Sequence, residues 1–171
     1  GTGFMMPRMT LKFWEDWPYV VDYFPVWEKL IDSLGKIEPH IEAALQLSAP
    51  RGKQFVGDLL AFVRFGGLFM QTAILIRQAR LRYDAAEELK TSAGRGGKFD
   101  VTAHNDEMRQ SARLLASAVD RLEAATAIWA GSVRDQTDIG SLVGLNAYGL
   151  DWLRGKADEI RIYGEHWGFE I

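Results

Sequence analysis

The fold is decided by residues 53–90, which read KQFVGDLLAFVRFGGLFMQTAILIRQARLRYDAAEELK. Apolar side chains recur in this stretch every three or four residues, which is the period of an α-helix and not that of a strand. They form two neighbouring stripes, of which the first is Phe55, Leu59, Phe62, Phe69, Ile76 and Tyr83 and the second is Val56, Leu60, Val63, Met70 and Ile74. So broad an apolar surface predicts a long central helix that other helices contact on more than one side.

The chain before this helix is rich in aromatic residues and is interrupted by prolines. Between residues 11 and 34, Pro18 and Pro25 predict short helices with kinks at or just before each proline. Gly35 follows a run of apolar residues at helical spacing and is a candidate C-terminal cap. Pro39 suits the first turn of a second short helix, so we expect two helices where this segment meets the central one.

Beyond the central helix, glycines and polar residues mark the breaks between further helices. Residues 91–98 read TSAGRGGK and predict a flexible surface loop. Asn105 or Asp106 is a candidate N-cap for the next helix. Thr137 or Asp138 is a candidate N-cap for the last one. No alternating strand pattern is present, so the sequence predicts an all-α fold, an antiparallel bundle of four to five helices with an aromatic-rich, proline-kinked N-terminal segment.

The length and the two ends of the chain bear on its domain organisation. A chain of 171 residues suits one domain of ordinary size with a single core. Gly1-Thr2-Gly3 reads as the scar of an expression tag, which leaves residues 4–171 as a single helical domain. Both ends of that domain are apolar rather than charged. This favours a domain excised from a larger protein over a complete small protein with docked termini.

Composition and charge argue against several classes of partner. Lys and Arg number 20 against 23 Asp and Glu, so no basic excess points to nucleic acid or to an anionic membrane. We expect no apolar run near the roughly 20 residues that span a bilayer, and we predict no membrane partner. The absence of cysteine excludes disulfide scaffolds and thiolate zinc sites. It leaves the compartment open, because secreted and cytosolic proteins can both lack cysteine.

The residue patterns of metal, cofactor and catalytic sites are absent from the sequence. His40, His104 and His166 lie in separate segments, and none of them follows a glutamate by three positions as a di-iron bundle requires. The glycine-rich run from Gly94 to Lys98 lacks the preceding apolar strand and the following Ser or Thr of a nucleotide-binding loop. No Gly-x-Ser-x-Gly elbow is present. We therefore predict no catalytic, cofactor-binding or metal-ligating residues.

Two adjacent glycines, Gly66 and Gly67, lie inside the predicted central helix. Each glycine costs about 1 kcal/mol relative to alanine in a helix interior, so the pair requires a reason. The interpretation that we favour is close approach by a neighbouring side chain. The alternative is a kink that opens a pocket.

The aromatic residues near the N-terminus are candidates for a docking surface. The chain has six tryptophans, more than the core of such a bundle normally needs, and Trp and Tyr are enriched at interfaces. Such rings also stack on sugars, so a carbohydrate ligand stays open. The candidate interface residues are Trp14, Trp17, Tyr19, Tyr23 and Trp27, and the alternative is that the tryptophans cover the core.

The order of elements between Pro50 and Leu153 carries a family resemblance. Its parts are the helix end Ile76-Arg-Gln-Ala-Arg-Leu-Arg-Tyr83, the helix end Ile128-Trp-Ala-Gly-Ser-Val-Arg134 and the helix Ile139-Gly-Ser-Leu-Val-Gly-Leu-Asn-Ala-Tyr148. This order resembles the C-terminal helical domain that follows the catalytic barrel in some bacterial glycoside hydrolases, notably certain family 20 β-N-acetylhexosaminidases.

The resemblance implies a non-catalytic accessory domain of a carbohydrate-active enzyme. In such enzymes the catalytic carboxylates lie in the barrel, so no catalytic residue is carried onto this chain. The implied partners are the rest of the parent polypeptide or a second copy in a homo-oligomer. A helical ligand-sensing or protein-interaction module is the alternative function.

Overall fold

The computed structural model describes residues 13–15, 23–132 and 149–166. Within these ranges the chain forms four helices and no strand, which confirms the predicted all-α bundle. The helices are α1 (Phe24–Leu47), α2 (Pro50–Gly94), α3 (Val101–Gly131) and α4 (Asp151–His166). The predicted expression scar and the predicted start of the last helix at Thr137 or Asp138 lie outside the described residues.

Helix α2 packs antiparallel against α3 over most of the length of α3. The hydroxyl of Ser111 donates a hydrogen bond to the backbone carbonyl of Ala79 at 2.8 Å. Further along, the rings of Phe65 and Trp129 lie 5.2 Å apart. Residue numbers therefore rise along one helix while they fall along the other. The main core lies between α2, α3 and α4. Its buried residues include Ala73, Ile76, Leu115, Ala118, Leu122, Leu153 and Ile160.

A second, smaller core joins α1 to the N-terminal part of α2. It consists of Ile41, Leu60 and Val63, with partly buried apolar residues around them. Two ion pairs from Arg64 to α1 border this cluster. Among the described residues, only α1 forms such a core with this part of α2, because α3 ends at the level of Phe65.

Helix α1 corrects the expectation that Gly35 ends one helix and Pro39 begins another. The structure has one continuous helix through both residues. Pro39 cannot donate the hydrogen bond to the carbonyl of Gly35, but both residues lie on the exposed side of α1, where water can bind that carbonyl. Burial of Ile41 on α2 then stabilises the second half of α1, so tertiary packing overrides the local signal.

The breaks around α3 also differ from the expected ones. Helix α2 continues through Gly94, three residues past the expected start of the loop at Thr91. Helix α3 begins at Val101, because the side chain of Asp100 accepts a hydrogen bond from the backbone N–H of Ala103 at 3.0 Å. Asp100 is thus the N-cap, and the prediction of Asn105 or Asp106 was wrong.

Helix α2 contains a stretch long and apolar enough to cross a membrane by length and composition. An 18-residue window within Pro50–Gly94 has a mean hydropathy of 1.8, and 44% of that window is buried inside the structure. This corrects the expectation that no apolar run is long enough for a bilayer. A buried core helix passes the same test, so the composition by itself does not indicate a span.

The glycine pair of α2 is not explained by close packing. An added Cβ at Gly66 or at Gly67 meets no atom within 4 Å among the neighbours that the structure describes. The favoured interpretation of a tightly approaching side chain is therefore corrected.

We expect Gly67→Ala to stabilise the chain by about 0.5–1 kcal/mol, because alanine has the higher helix propensity and the site is open. Chemical denaturation measures this change. Gly97→Ala is the matched control, since its Cβ would lie 2.9 Å from the carbonyl oxygen of Ser92 and should destabilise the chain. A loss of stability in the Gly67 variant would contradict the open environment.

Candidate docking surface

Trp14 lies in the main core with 5% of its surface exposed. Its ring contacts that of Tyr83 edge-on at a centroid distance of 5.5 Å. The guanidinium carbon of Arg80 and the Nζ atom of Lys156 lie 5.4 Å and 5.0 Å from its centroid, in cation–π geometry. Trp14 therefore presents little surface to a partner. The expectation that it is an exposed interface anchor is corrected to a core role.

The other predicted interface residues are spread over different environments. Trp27 is half-buried and packs edge-on against Phe13 and Phe24, at centroid distances of 5.8 Å and 5.3 Å. Tyr23 is 57% exposed on the turn before α1. Trp17 and Tyr19 lie outside the described residues. The described members thus do not form one exposed aromatic surface, and a contact through Tyr23 stays a prediction.

We expect Trp14→Ala to lower the free energy of unfolding by about 3–5 kcal/mol, because it leaves a cavity beside Tyr83. Thermal or chemical denaturation of the purified chain measures the loss. Tyr23→Ala is the matched control, and its exposed ring should change stability by less than about 0.5 kcal/mol. Equal effects of the two substitutions would contradict the different burial of the two rings.

The first stripe of α2 divides into a buried half and an exposed half. Phe69 and Ile76 are 8% and 0% exposed and belong to the main core. Phe55, Leu59 and Phe62, which we call the exposed stripe, are 72%, 41% and 68% exposed. Their spacing in the sequence places all of these residues on one helix face but does not distinguish the exposed ones from the buried ones. The length of the central helix is a signal for such a site, because α2 has 45 residues and the helices that pack on it have 31 and 24.

The exposed stripe is a separate face from the one that α1 covers. At about 100° of rotation per residue, the contacts of α1 at Leu60 and Val63 lie roughly a quarter turn away from the stripe. Helices α1 and α2 form a helical hairpin. Leu47, at the end of α1, is 88% exposed and adds apolar surface to the same end of this hairpin. Helix α1 thus fixes one side of α2 and leaves the adjacent apolar side open to solvent.

Arg64 forms two ion pairs that link α2 to α1. Its Nε atom donates to a Glu38 carboxylate oxygen at 2.7 Å, and its Nη2 atom pairs with Glu42 one turn further along α1. The hydrogen bond to Glu38 raises the pKa of Arg64, and the negative charges of both glutamates act in the same direction. The three groups are partly exposed, and their pairing places charged side chains between α1 and α2.

A cleft of about 300 Å³ lies between α1 and α2 and reaches the end of α3. Leu34, Val63, Gly67 and Ile128 supply apolar walls, and Glu38 and Arg64 supply a polar edge. Those two charged groups pair with each other across the edge of the cleft. Of the two adjacent glycines, Gly67 lines this cleft.

The structure describes the surroundings of two histidines, His40 and His104. His104 is fully buried, with Nδ1 3.2 Å from Oδ1 of Asn105 and its ring 5.3 Å from that of Phe99. His40 is exposed on α1. No group of three or more His, Asp or Glu side chains within the described ranges lies close enough to hold a metal ion.

Comparison with known proteins adds no family to this description. No family model matches the chain, and neither a curated protein nor a solved structure matches it.

Proposed function

We propose that the chain is a non-catalytic helical module that acts by docking onto another protein surface. The observation that carries this proposal is the exposed stripe of Phe55, Leu59 and Phe62. Two of its members are phenylalanines that are about two-thirds exposed or more. The largest contiguous apolar patch on a soluble monomer typically covers about 300–600 Å² and is often an interaction site.

The helical form of the surface supports a docking role. The exposed stripe lies on one face of a continuous helix, so its side chains need no backbone rearrangement to meet a partner. The small core that α1 forms with α2 supports that helix from a neighbouring side. Anchors on a preorganised helix lose little conformational entropy on binding.

A protein surface fits the stripe better than a lipid bilayer does. Insertion of this part of α2 would bring Arg64, Glu38 and Asp58 towards the hydrocarbon, and charged side chains at that depth are costly. A protein interface has a polar rim that accommodates such groups. The apolar residues of α2 are therefore better suited to contact a protein than a bilayer.

The glycoside hydrolase parent stays a prediction. It rests on the order of helices and loops in the sequence, and part of that order lies outside the described residues. In this proposal the docking partner is either a domain of the same polypeptide or a separate chain. No observation on the described residues favours carbohydrate as the ligand.

Site-specific photocrosslinking tests the proposal in the cells from which the sequence comes. We expect p-benzoylphenylalanine in place of Phe62 to yield a covalent adduct with a protein, because this position lies in the docking surface. Mass spectrometry of the adduct identifies the partner and the contact peptide. The matched control carries the same probe in place of Leu81, which is 52% exposed on the same helix and should yield no adduct.

Two outcomes would overturn the docking proposal. One is the absence of a protein adduct at position 62, or equal labelling at positions 62 and 81. The other is flotation of the purified chain with phosphatidylcholine and phosphatidylglycerol vesicles in a manner abolished by Phe62→Ala, which would assign the stripe to lipid.

A further inference from the structure

We infer that the partner of the exposed stripe is a second copy of this chain, paired antiparallel through the N-terminal half of α2. This inference rests on the proposed docking function and names its occupant. The paired segment runs from Pro50 to about Arg64, which is the part of α2 that extends past the end of α3.

The exposed stripe continues an interhelical seam that already exists within the chain. Its positions Phe55, Leu59 and Phe62 follow one another at alternating steps of four and three residues. The same steps lead through Gly66 to the buried Phe69, Ala73 and Ile76. Such a series is the seam of helices that pack side by side at a shallow angle. The seam is covered from Phe69 onwards, and the uncovered part has the spacing that another helix requires.

Antiparallel pairing makes the seam complementary to itself. When Leu59 of one copy faces Phe55 of the other, Gly52 of the first faces Phe62 of the second. Each large ring thus meets a leucine or a glycine rather than another large ring. An added Cβ at Gly52 meets only Ser48, at 3.8 Å, so space for a ring is open on its other sides. The two-fold axis repeats each contact, as an isologous dimer requires.

The area of the stripe suits a modest dimer. A buried phenylalanine contributes about 200 Å², so the exposed parts of the stripe supply roughly 350 Å² of apolar surface per chain. Two copies therefore bury roughly 700 Å² of apolar surface. Because about 57% of an interface is apolar, this corresponds to roughly 1,200 Å² in total. That value lies at the lower end of the range for specific complexes.

Sedimentation velocity of the full chain across the micromolar range tests the dimer. We expect concentration-dependent dimerisation, and we expect Phe62→Ala to raise the dissociation constant at least tenfold because it removes two anchors per dimer. Leu81→Ala is the matched control and should leave the dissociation constant unchanged, since Leu81 is exposed outside the paired segment. Circular dichroism of both variants checks that the helices are retained.

Introduced cysteines test the antiparallel arrangement, because the chain has no cysteine of its own. A mixture of Gly52→Cys and Phe62→Cys chains should form a mixed disulfide on mild oxidation. Either variant alone should not, since in the antiparallel pair identical positions lie about ten residues, or roughly 15 Å, apart along the helix. Parallel pairing would give the opposite result and would overturn this arrangement.

The remaining outcomes separate this inference from the docking function on which it rests. A photocrosslink from position 62 to a different protein, with a monomeric purified chain, overturns the dimer and keeps the docking function. If the purified chain is monomeric and Phe62→Ala lowers its free energy of unfolding, the exposed stripe is covered within the same chain. That result overturns both the dimer and the docking function. If Leu81→Ala weakens the dimer and Phe62→Ala does not, the dimer forms through another surface. That result also overturns the inference.

Discussion

Helix α2 is longer than any helix that packs against it, and the arrangement of the molecule depends on that mismatch. At 1.5 Å per residue, its 45 residues extend about 68 Å, whereas the 31 residues of α3 extend about 47 Å. Helix α3 can therefore cover only part of α2, and its end lies where Trp129 meets Phe65. The rest of α2 is left to α1, which packs on one of its sides and leaves the exposed stripe uncovered.

Small residues and buried hydroxyls fix how α2 and α3 meet. Ala79 and Ala118 are fully buried, and the hydroxyl of Ser111 reaches across to a carbonyl of α2. A buried hydroxyl is costly without a hydrogen bond, so this contact penalises a shift of one helix along the other. Phe13 and Trp14 belong to the same core, where they pack against Phe69 and Tyr83.

These contacts explain which features of the structure the sequence predicts and which it does not. The long periodic stretch of α2 predicts a central helix, because a broad apolar surface needs neighbours on several sides. Gly35 and Pro39 are misleading, because burial of Ile41 outweighs their local preference. Trp14 is misleading for a related reason, since tryptophan is common at interfaces but is also highly buried on average in folded proteins.

The exposed stripe shows why the candidate site could be predicted only in part. Phe55 and Phe62 have the same spacing as the buried Phe69 and Ile76, and spacing does not tell whether a neighbour is present. That depends on where α3 ends, which is a tertiary property. Composition likewise could not separate a core helix from a membrane span in α2, because both need a long apolar window.

The hairpin of α1 and α2 also links association to local stability. Its distal part has a core of three buried residues, Ile41, Leu60 and Val63, and partly exposed ion pairs contribute little to stability. Segments with so few buried contacts open at a lower free energy than the main core does. A partner that covers Phe55 and Phe62 adds buried surface where the chain's own core is smallest. By linkage, its binding free energy then stabilises the hairpin most, while the contact of α2 with α3 forms without it.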